Sequence, residues 1–493
     1  MLDVLVVGAG PVGLTLAAEL ARYGLSVRIV DKAAHPTTTS KALAIWSRSL
    51  ELFDRMGCTE QFLAAGIQGH GASIRSGGQV LGHARLDAIP SAYNFALMIP
   101  QRETERLMAA HLGRFGPAVE REVELTGFED RGDRVQARLH HADGREEMVD
   151  CLWLVGCDGA HSTVRHSLGF AFAGAPEPND WVLADVTLQG AAAPPADEVS
   201  LYLHRDGLFV VFPMPGPRFR LVATLGAADP DKSRPDPTLE SIQTLIAQRA
   251  GGGFTAEDPQ WLANFRVHER KVADYRRGRV FLAGDAAHIH SPAGGQGMNT
   301  GMQDAINLAW KLAMVGHGAA DPDLLLSYSP ERSAVGEIVL RNATRMTEMA
   351  TLANPAAQGL RNLVLRFALG LAPIRERMAL QMSEVEIAYG SSPLSRGLHA
   401  GAHGLVAGAR LPPEFYAGAP PGAGERPRFV LYAEPGADSA DLLSRFPEML
   451  EPVARPAPEG GLLLLVRPDG YIGFAGKAGD WAEAIAYLGG LAA

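Results

Sequence analysis

Three aspartates in this chain stand where a short apolar run stops: Asp31 after SVRIV, Asp158 after CLWLVGC and Asp285 after VFLAG. Such a run reads as a buried parallel strand opening into a polar loop, and open α/β sheets hold ligands in the crevice beyond those strand ends. Each acid is therefore placed to accept hydrogen bonds from a hydroxylated ligand. Glycines accompany all three. Gly8-Ala9-Gly10-Pro11-Val12-Gly13 has the spacing GxGxxG, in which glycines allow a tight turn, a close approach of backbone to a pyrophosphate, and close packing of helix on strand. Asp31 follows at the separation at which an acid bonds the ribose hydroxyls of an adenine dinucleotide. Gly156 to Arg165, GCDGAHSTVR, puts Asp158 and Arg165 in one strand-to-helix turn, where a salt bridge fixing the loop is the plainer alternative. Ser291-Pro292-Ala293-Gly294-Gly295-Gln296-Gly297 lets backbone come close to a planar ligand, because its glycines carry no side chain.

These groups need a sheet and helices to hold them. Leu2–Val7 reads as the first strand, Leu14–Tyr23 as the helix after the glycine turn, and Ser26–Val30 as the second strand. Cys151–Val155 and Arg279–Gly284 complete the parallel set. Asn299 or Thr300 is expected to cap a helix whose apolar residues Met302, Ile306, Ala309 and Ala313 recur at three- and four-residue steps. The positive end of that helix would favour negative charge on a ligand in the loop before it. Thr37–Glu51 is polar, then helical, with Lys41 and Arg48 placed either to reach phosphates or to lie in solvent. Pro100-Gln101-Arg102 opens a helix over Glu103–His111, and Gln101 offers an amide to a cofactor or to its own helix end. Val119–Val149 alternates and turns at Ala142-Asp143-Gly144, an antiparallel excursion.

Ala175 to Phe265 has a different texture. Val182–Leu188, Val199–Leu203, Leu208–Pro213 and Phe219–Leu225 read as strands of an antiparallel sheet, with Tyr202 and His204 on one face of theirs. From Pro322 the chain is helical through Glu386. The Pro- and Gly-rich Leu411–Pro427 marks a boundary, after which strand, helix, strand, turn, strand and helix follow to Leu488. At 493 residues about three domains are expected. A net charge of −10 speaks against nucleic acid and anionic membranes as partners, and Cys58, Cys151 and Cys157 give neither a disulfide framework nor a metal spacing, as in a reducing cytoplasm. No metal constellation surrounds His288 and His290, and no stretch reads as a membrane span.

The order GxGxxG, DG, GD, followed by Ser291-Pro292-x-Gly294-x-x-Gly297-Met298-Asn299, resembles the FAD-dependent aromatic hydroxylases of the p-hydroxybenzoate hydroxylase type. The resemblance implies an α/β fold with a Rossmann-like FAD-binding domain over 1–174 and 266–395 with a helical extension. It implies an inserted antiparallel sheet over 175–265 that roofs the substrate, and a thioredoxin-like tail over 400–493 that lacks CxxC and serves packing or a homo-oligomer. By that likeness Gly8, Gly10, Pro11, Val12 and Gly13 lie at the FAD pyrophosphate, Asp31 and Lys32 at the adenosine ribose, and Asp285 at the ribityl chain. Lys41 stands where the family carries an arginine, Gln101 lies near the cofactor, and Asp158 and Arg165 serve both FAD and NAD(P)H. Pro292, Gly295, Gly297, Met298 and Asn299 line the flavin ring, with Pro292 at the chemistry, while Tyr202 or His204 either accepts a phenolic proton there or lies, respectively, in the core and at the surface. The activity implied is hydroxylation of a phenolic or polycyclic aromatic by dioxygen, through a flavin C4a-hydroperoxide after reduction by NADPH or NADH. Baeyer-Villiger oxygenation of a polyketide and a non-catalytic FAD-binding redox protein are the alternatives, while the WxWxIP signature of flavin halogenases does not occur.

Overall fold

Valine, leucine and isoleucine in short runs without polar alternation form strands buried on both faces, which is the requirement of a parallel sheet. In the computed structural model, which describes residues 1–39, 42–76, 79–229, 234–291, 294–352, 354–397 and 404–493, four such strands lie side by side. Leu2–Val7 is flanked in parallel by Val27–Asp31 and by the end of Glu146–Gly156, which in turn pairs in parallel with Val280–Leu282. Val4, Leu5 and Val6 have no exposed surface. The register sets Val7 beside Val30 and Gly156, and Gly156 beside Leu282. Gly8, Asp31, Asp158 and Asp285 therefore leave the sheet at one edge. Cys151–Val155 is not a separate strand as expected: Glu146–Gly156 is continuous, antiparallel to Val135–His141 along most of its length.

The helix after the glycine turn runs from Pro11 to Arg22, and the buried helix Gly297–Gly316 packs against it. Its cap is Gln296, so Asn299 and Thr300 sit inside the first turn rather than capping it. Their side chains are engaged elsewhere, as described below.

The second sheet has eight strands. Ala173–Gln189, Val199–His204, Gly207–Pro213, Arg218–Ala227 and Thr255–Lys271 are its antiparallel body, and it also takes in the hairpin Gly71–Ser76 and Gln79–Arg85 from outside the expected insertion, with Val199–His204 parallel to Gly71–Ser76. GASIRS and QVLGHAR carry too little apolar alternation to announce themselves as strands. One face of this sheet is covered by the helix Leu239–Arg249, whose Ile242 and Ile246 pack with Tyr202 and Phe209. Helices Tyr328–Ala350, Pro355–Ala368 and Ala372–Ser383 follow the parallel-sheet unit.

The C-terminal segment builds an antiparallel sheet of Val430–Tyr432, Leu462–Val466 and Ile472–Lys477, with parallel bridges from Phe429 to Leu450 and Tyr432 to Arg455 at its edge. Its helix Ala437–Arg445 stops there because Pro447 disfavours helical backbone at Phe446. Among the described residues no helix is long and apolar enough to cross a membrane.

Candidate functional site

The glycine turn separates two uses of glycine. A Cβ on Gly13 would lie 1.9 Å from the Gly8 carbonyl oxygen, and one on Gly8, whose φ is +101°, would lie 2.4 Å from that of Cys157. These two glycines let the chain pack on itself. A Cβ on Gly10 would meet nothing within 4 Å, so at this residue the main chain faces open space at the start of a helix with no side-chain cap. A phosphate approaching there meets free N–H groups and the positive helix end.

Asp31 accepts from the Ala9 N–H at 2.7 Å and the Ala33 N–H at 2.8 Å, with Arg121 3.5 Å away. Lys32 beside it is exposed. Gln101 begins its helix and donates its amide to Glu105 at 2.9 Å, the Glu105 carboxyl being pushed up by burial. Asp158 accepts from the Val164 N–H at 3.2 Å through one oxygen, while the other is buried without a partner. Arg165 forms no salt bridge with it. Instead its guanidinium donates to the carbonyls of Ala160 at 2.8 Å and Ala286 at 3.1 Å, tying the loop of Asp158 to that of Asp285. Asp285 is exposed in the turn Gly284–Ala286 at the same edge.

That turn is held from behind. Gly284 and Gly301 both abut Val12, so the two loops and the helix Gly297–Gly316 meet there without room for a further carbon. Asp304 accepts from the Gly284 N–H at 3.0 Å and pairs with His288 at 2.8 Å and Arg332 at 2.6 Å. Burial alone would raise its carboxyl, yet Arg332 and His288 hold it below the ordinary carboxylate range. Burial and the nearby His288 push His290 down to about 4, leaving a neutral ring whose Nδ1 donates to the Ser291 carbonyl at 3.0 Å. Asn299 accepts from the Trp46 N–H at 2.9 Å and donates to the carbonyls of Ala44 and Gly295, which clamps the glycine loop to the strand Ala44–Ile45. Gly294 and Gly295 have φ of +89° and +63°, a backbone that side chains resist, and Gly297 and Met298 are half-buried at the helix start. Lys41 and Pro292 lie outside the described residues.

Three expectations are corrected. Arg48 does not reach toward the glycine turn: it is buried, paired with Glu51 at 2.9 Å, and donates to the Asp469 carbonyl of the C-terminal sheet at 2.6 Å. Tyr202 packs beneath the helix Leu239–Arg249, on the sheet face opposite Asp185 and Arg220, since neighbours of those two residues lie in the Tyr202 core. His204 shares that outer face and pairs with Asp206 at 3.3 Å.

The inner face instead borders a cavity of about 430 Å³ between the sheet and the dinucleotide domain. Thr39, Pro100 and Arg102 line it from one side, and Asp185, Arg220 and Trp261 from the other. Arg220 grips Asp185 through two 2.7 Å bonds and lies 5.5 Å from the Trp261 ring centre. Sequence reading missed this pair, whose signal was one acid and one arginine in otherwise apolar strands, and missed Asp304 and Arg332. Thr300, Asp304, Asn307 and Lys311 recur at helical steps, a polar stripe that an apolar periodicity passes over.

The profile of the FAD binding domain family matches residues 1–343. Over 417 residues the chain is 40% identical to 6-methylpretetramide 4-monooxygenase of Streptomyces rimosus, covering 82% of this chain and 73% of that protein. It is 34% identical over 492 residues to 12-dehydrotetracycline 5-monooxygenase/anhydrotetracycline 6-monooxygenase of Streptomyces rimosus subsp. rimosus, covering 95% and 94% of the two chains. Among solved structures, the anhydrotetracycline hydroxylase from Streptomyces rimosus is similar with a TM-score of 0.79 and 30% identity over 100% of this chain and 99% of that one.

Proposed function

This chain belongs to the FAD-dependent aromatic hydroxylases, and we propose that it uses NADPH or NADH and dioxygen to hydroxylate a phenolic, polycyclic aromatic of polyketide type. The observation that carries this reading is the strand register, which gathers Gly8, Asp31, Asp158 and Asp285 at one edge of the parallel sheet. Open space at Gly10 and the unpaired oxygen of Asp158 suit a ligand rich in phosphate and hydroxyl groups. In this reading Gly8, Gly10 and Gly13 bring main chain to the pyrophosphate, Asp31 takes the adenosine ribose, and Asp285 takes the ribityl chain. Asp158 and Arg165 shape the loop toward both nucleotides, and Pro292, Gly295, Gly297, Met298 and Asn299 face the ring. When bound, FAD supplies acceptance of hydride and activation of dioxygen.

The cavity falls within the usual range for small-molecule sites, about 300–1,000 Å³. Trp261 offers a ring face to an aromatic, and the Asp185 carboxylate, oriented by Arg220, accepts a hydrogen bond from a ring hydroxyl. A phenol with a pKa near ~10 is mostly neutral at pH 7, so a carboxylate that takes up the hydroxyl proton as the ring is attacked makes the ring more nucleophilic. The two domains that wall the cavity keep water from the reacting groups.

Residues 400–493 are read as thioredoxin-like. The lateral order of the bridged 450–455 segment, Val430–Tyr432, Leu462–Val466 and Ile472–Lys477 supports this, and the lack of cysteine after Cys157 leaves the tail a packing role. The three free cysteines suit the cytoplasm.

The test is NAD(P)H oxidation by purified protein with and without a panel of phenols and polycyclic aromatics, quantifying hydrogen peroxide and identifying products. Acceleration with little peroxide and one added hydroxyl is expected. Oxidation that no aromatic accelerates, with peroxide as the sole product, would overturn the hydroxylase reading.

A further inference from the structure

We infer that the C-terminal sheet positions the cofactor loop Gly284–Asp285, acting through the adjacent residues Glu331 and Arg332; this rests on the reading that the loop holds FAD. Glu331 faces the tail. Its carboxylate accepts from both guanidinium nitrogens of Arg467, at 2.6 and 3.0 Å, and from Lys311 at 2.7 Å. Arg467 also pairs with Asp469 at 2.6 Å, and Asp469 accepts from the Trp310 indole at 3.1 Å. Arg332, one position on, faces the loop. It pairs with Asp304 at 2.6 Å and donates to the Thr300 carbonyl at 3.0 Å, while the second Asp304 oxygen accepts from the Gly284 N–H.

The helix Gly297–Gly316 presents Thr300, Asp304, Asn307 and Lys311 on one stripe, so its near end touches the cofactor loop and its far end the tail. Glu331, Arg332, Lys311, Asp304, Arg467 and Asp469 are at most 2% exposed, and no solvent stands ready to replace a lost partner. A change at Arg467 leaves the Glu331 carboxylate with Lys311, Asn307 and Ser392 as donors, and any shift of the Glu331 main chain toward them carries the adjoining backbone of Arg332. That displacement pulls on Asp304 and thence on Gly284. Glu331 and Arg332 are therefore positioning residues for the site, with the turn Arg467–Gly470 as the wedge that sets them.

The experiment measures FAD affinity of the apoprotein and the visible absorption bands of bound flavin in Arg467→Lys, Asp304→Asn and the double variant. Arg467→Lys keeps the charge but loses the fork. It is expected to weaken FAD about ten-fold and to shift the flavin bands, and most of that loss should vanish in the Asp304→Asn background. Arg22→Lys is the control. Arg22 anchors the same tail through the Gly422 and Gly424 carbonyls and makes no direct contact with Glu331, reaching the turn Arg467–Gly470 only through Glu19 and Arg55, so its replacement should lower the melting temperature and leave FAD affinity unchanged. If Asp304→Asn does not fold, Arg332→Lys takes its place in the cycle. Additive losses, or FAD losses that follow the melting temperature alike in Arg467→Lys and Arg22→Lys, would overturn the coupling. Full FAD binding by Asp285→Ala would overturn the underlying assignment of the loop instead.

Discussion

The cofactor edge and the seam with the C-terminal sheet are built from the same residue types under opposite rules. At the seam, Glu331, Lys311, Arg467 and Asp469 lie at no more than 2% exposure, each charge answered by protein. At the edge, Gly10 faces open space and one Asp158 oxygen is buried with no partner. A seam that is permanent must satisfy its own charges, since an unpaired buried charge costs several kcal/mol. An edge that receives a ligand keeps hydrogen-bonding capacity in reserve for it. The satisfied carboxylates of the seam and the reserved oxygen of Asp158 thus differ where burial alone would not separate them.

Breaking the seam should cost most. Glu331→Ala leaves Arg467 and Lys311 buried without their shared acceptor and should destabilise the fold by about 3–5 kcal/mol in chemical denaturation. At the edge, Asp285→Ala should fold with an unchanged denaturation midpoint yet purify colourless, a loss of about 2–3 kcal/mol in FAD binding by flavin titration. The glycine turn sharpens the contrast within a single motif. Gly10→Ala should leave the melting temperature unchanged and weaken FAD by about 1–2 kcal/mol, whereas Gly13→Ala, with its Cβ 1.9 Å from the Gly8 oxygen, should lower stability even without cofactor. The smallest effect concerns pH. Glu384 accepts from Thr300 and Gln303, with Arg332 and Asp304 nearby, and burial pushes its carboxyl up to about 8. A group whose folded value is raised gives stability that is full below its unfolded value near ~4.5 and is lost as pH climbs through about 8. Wild-type stability should therefore fall across that window. Glu384→Gln should flatten the profile in pH-dependent denaturation, and an unchanged slope would place the titration elsewhere.

Much of the parallel sheet was legible because buried strands and GxGxxG turns leave local signals: strand Leu2–Val7 and the turn that follows lie where periodicity put them. Asp31, Asp158 and Asp285 share an edge because each closes a strand. What could not be read depends on distant partners. Arg48 has the composition of a phosphate ligand and is claimed by Asp469, far along the chain. Tyr202 and His204 do share a face, but which face of the sheet meets the cavity is decided by where the helix Leu239–Arg249 lands. The hairpin Gly71–Arg85 becomes strand only by pairing with Val199–His204. Asp304 was hidden in a helix read for its apolar stripe alone.

The strand Glu146–Gly156 has a bearing on when the site comes into being. Its first half forms a meander with its immediate neighbour, a contact cheap in loop entropy, while its last residues sit between Leu2–Val7 and Val280–Leu282. The edge that presents the three aspartates is thus joined from segments separated by much of the chain, one of them emerging only after the five inserted strands between Ala173 and Lys271. During synthesis the glycine turn and Asp31 are exposed long before Asp285 exists. The shared strand edge is accordingly a late product of folding, of high contact order, so that a ribosome-bound fragment ending before Val280 would carry the turn without the complete edge.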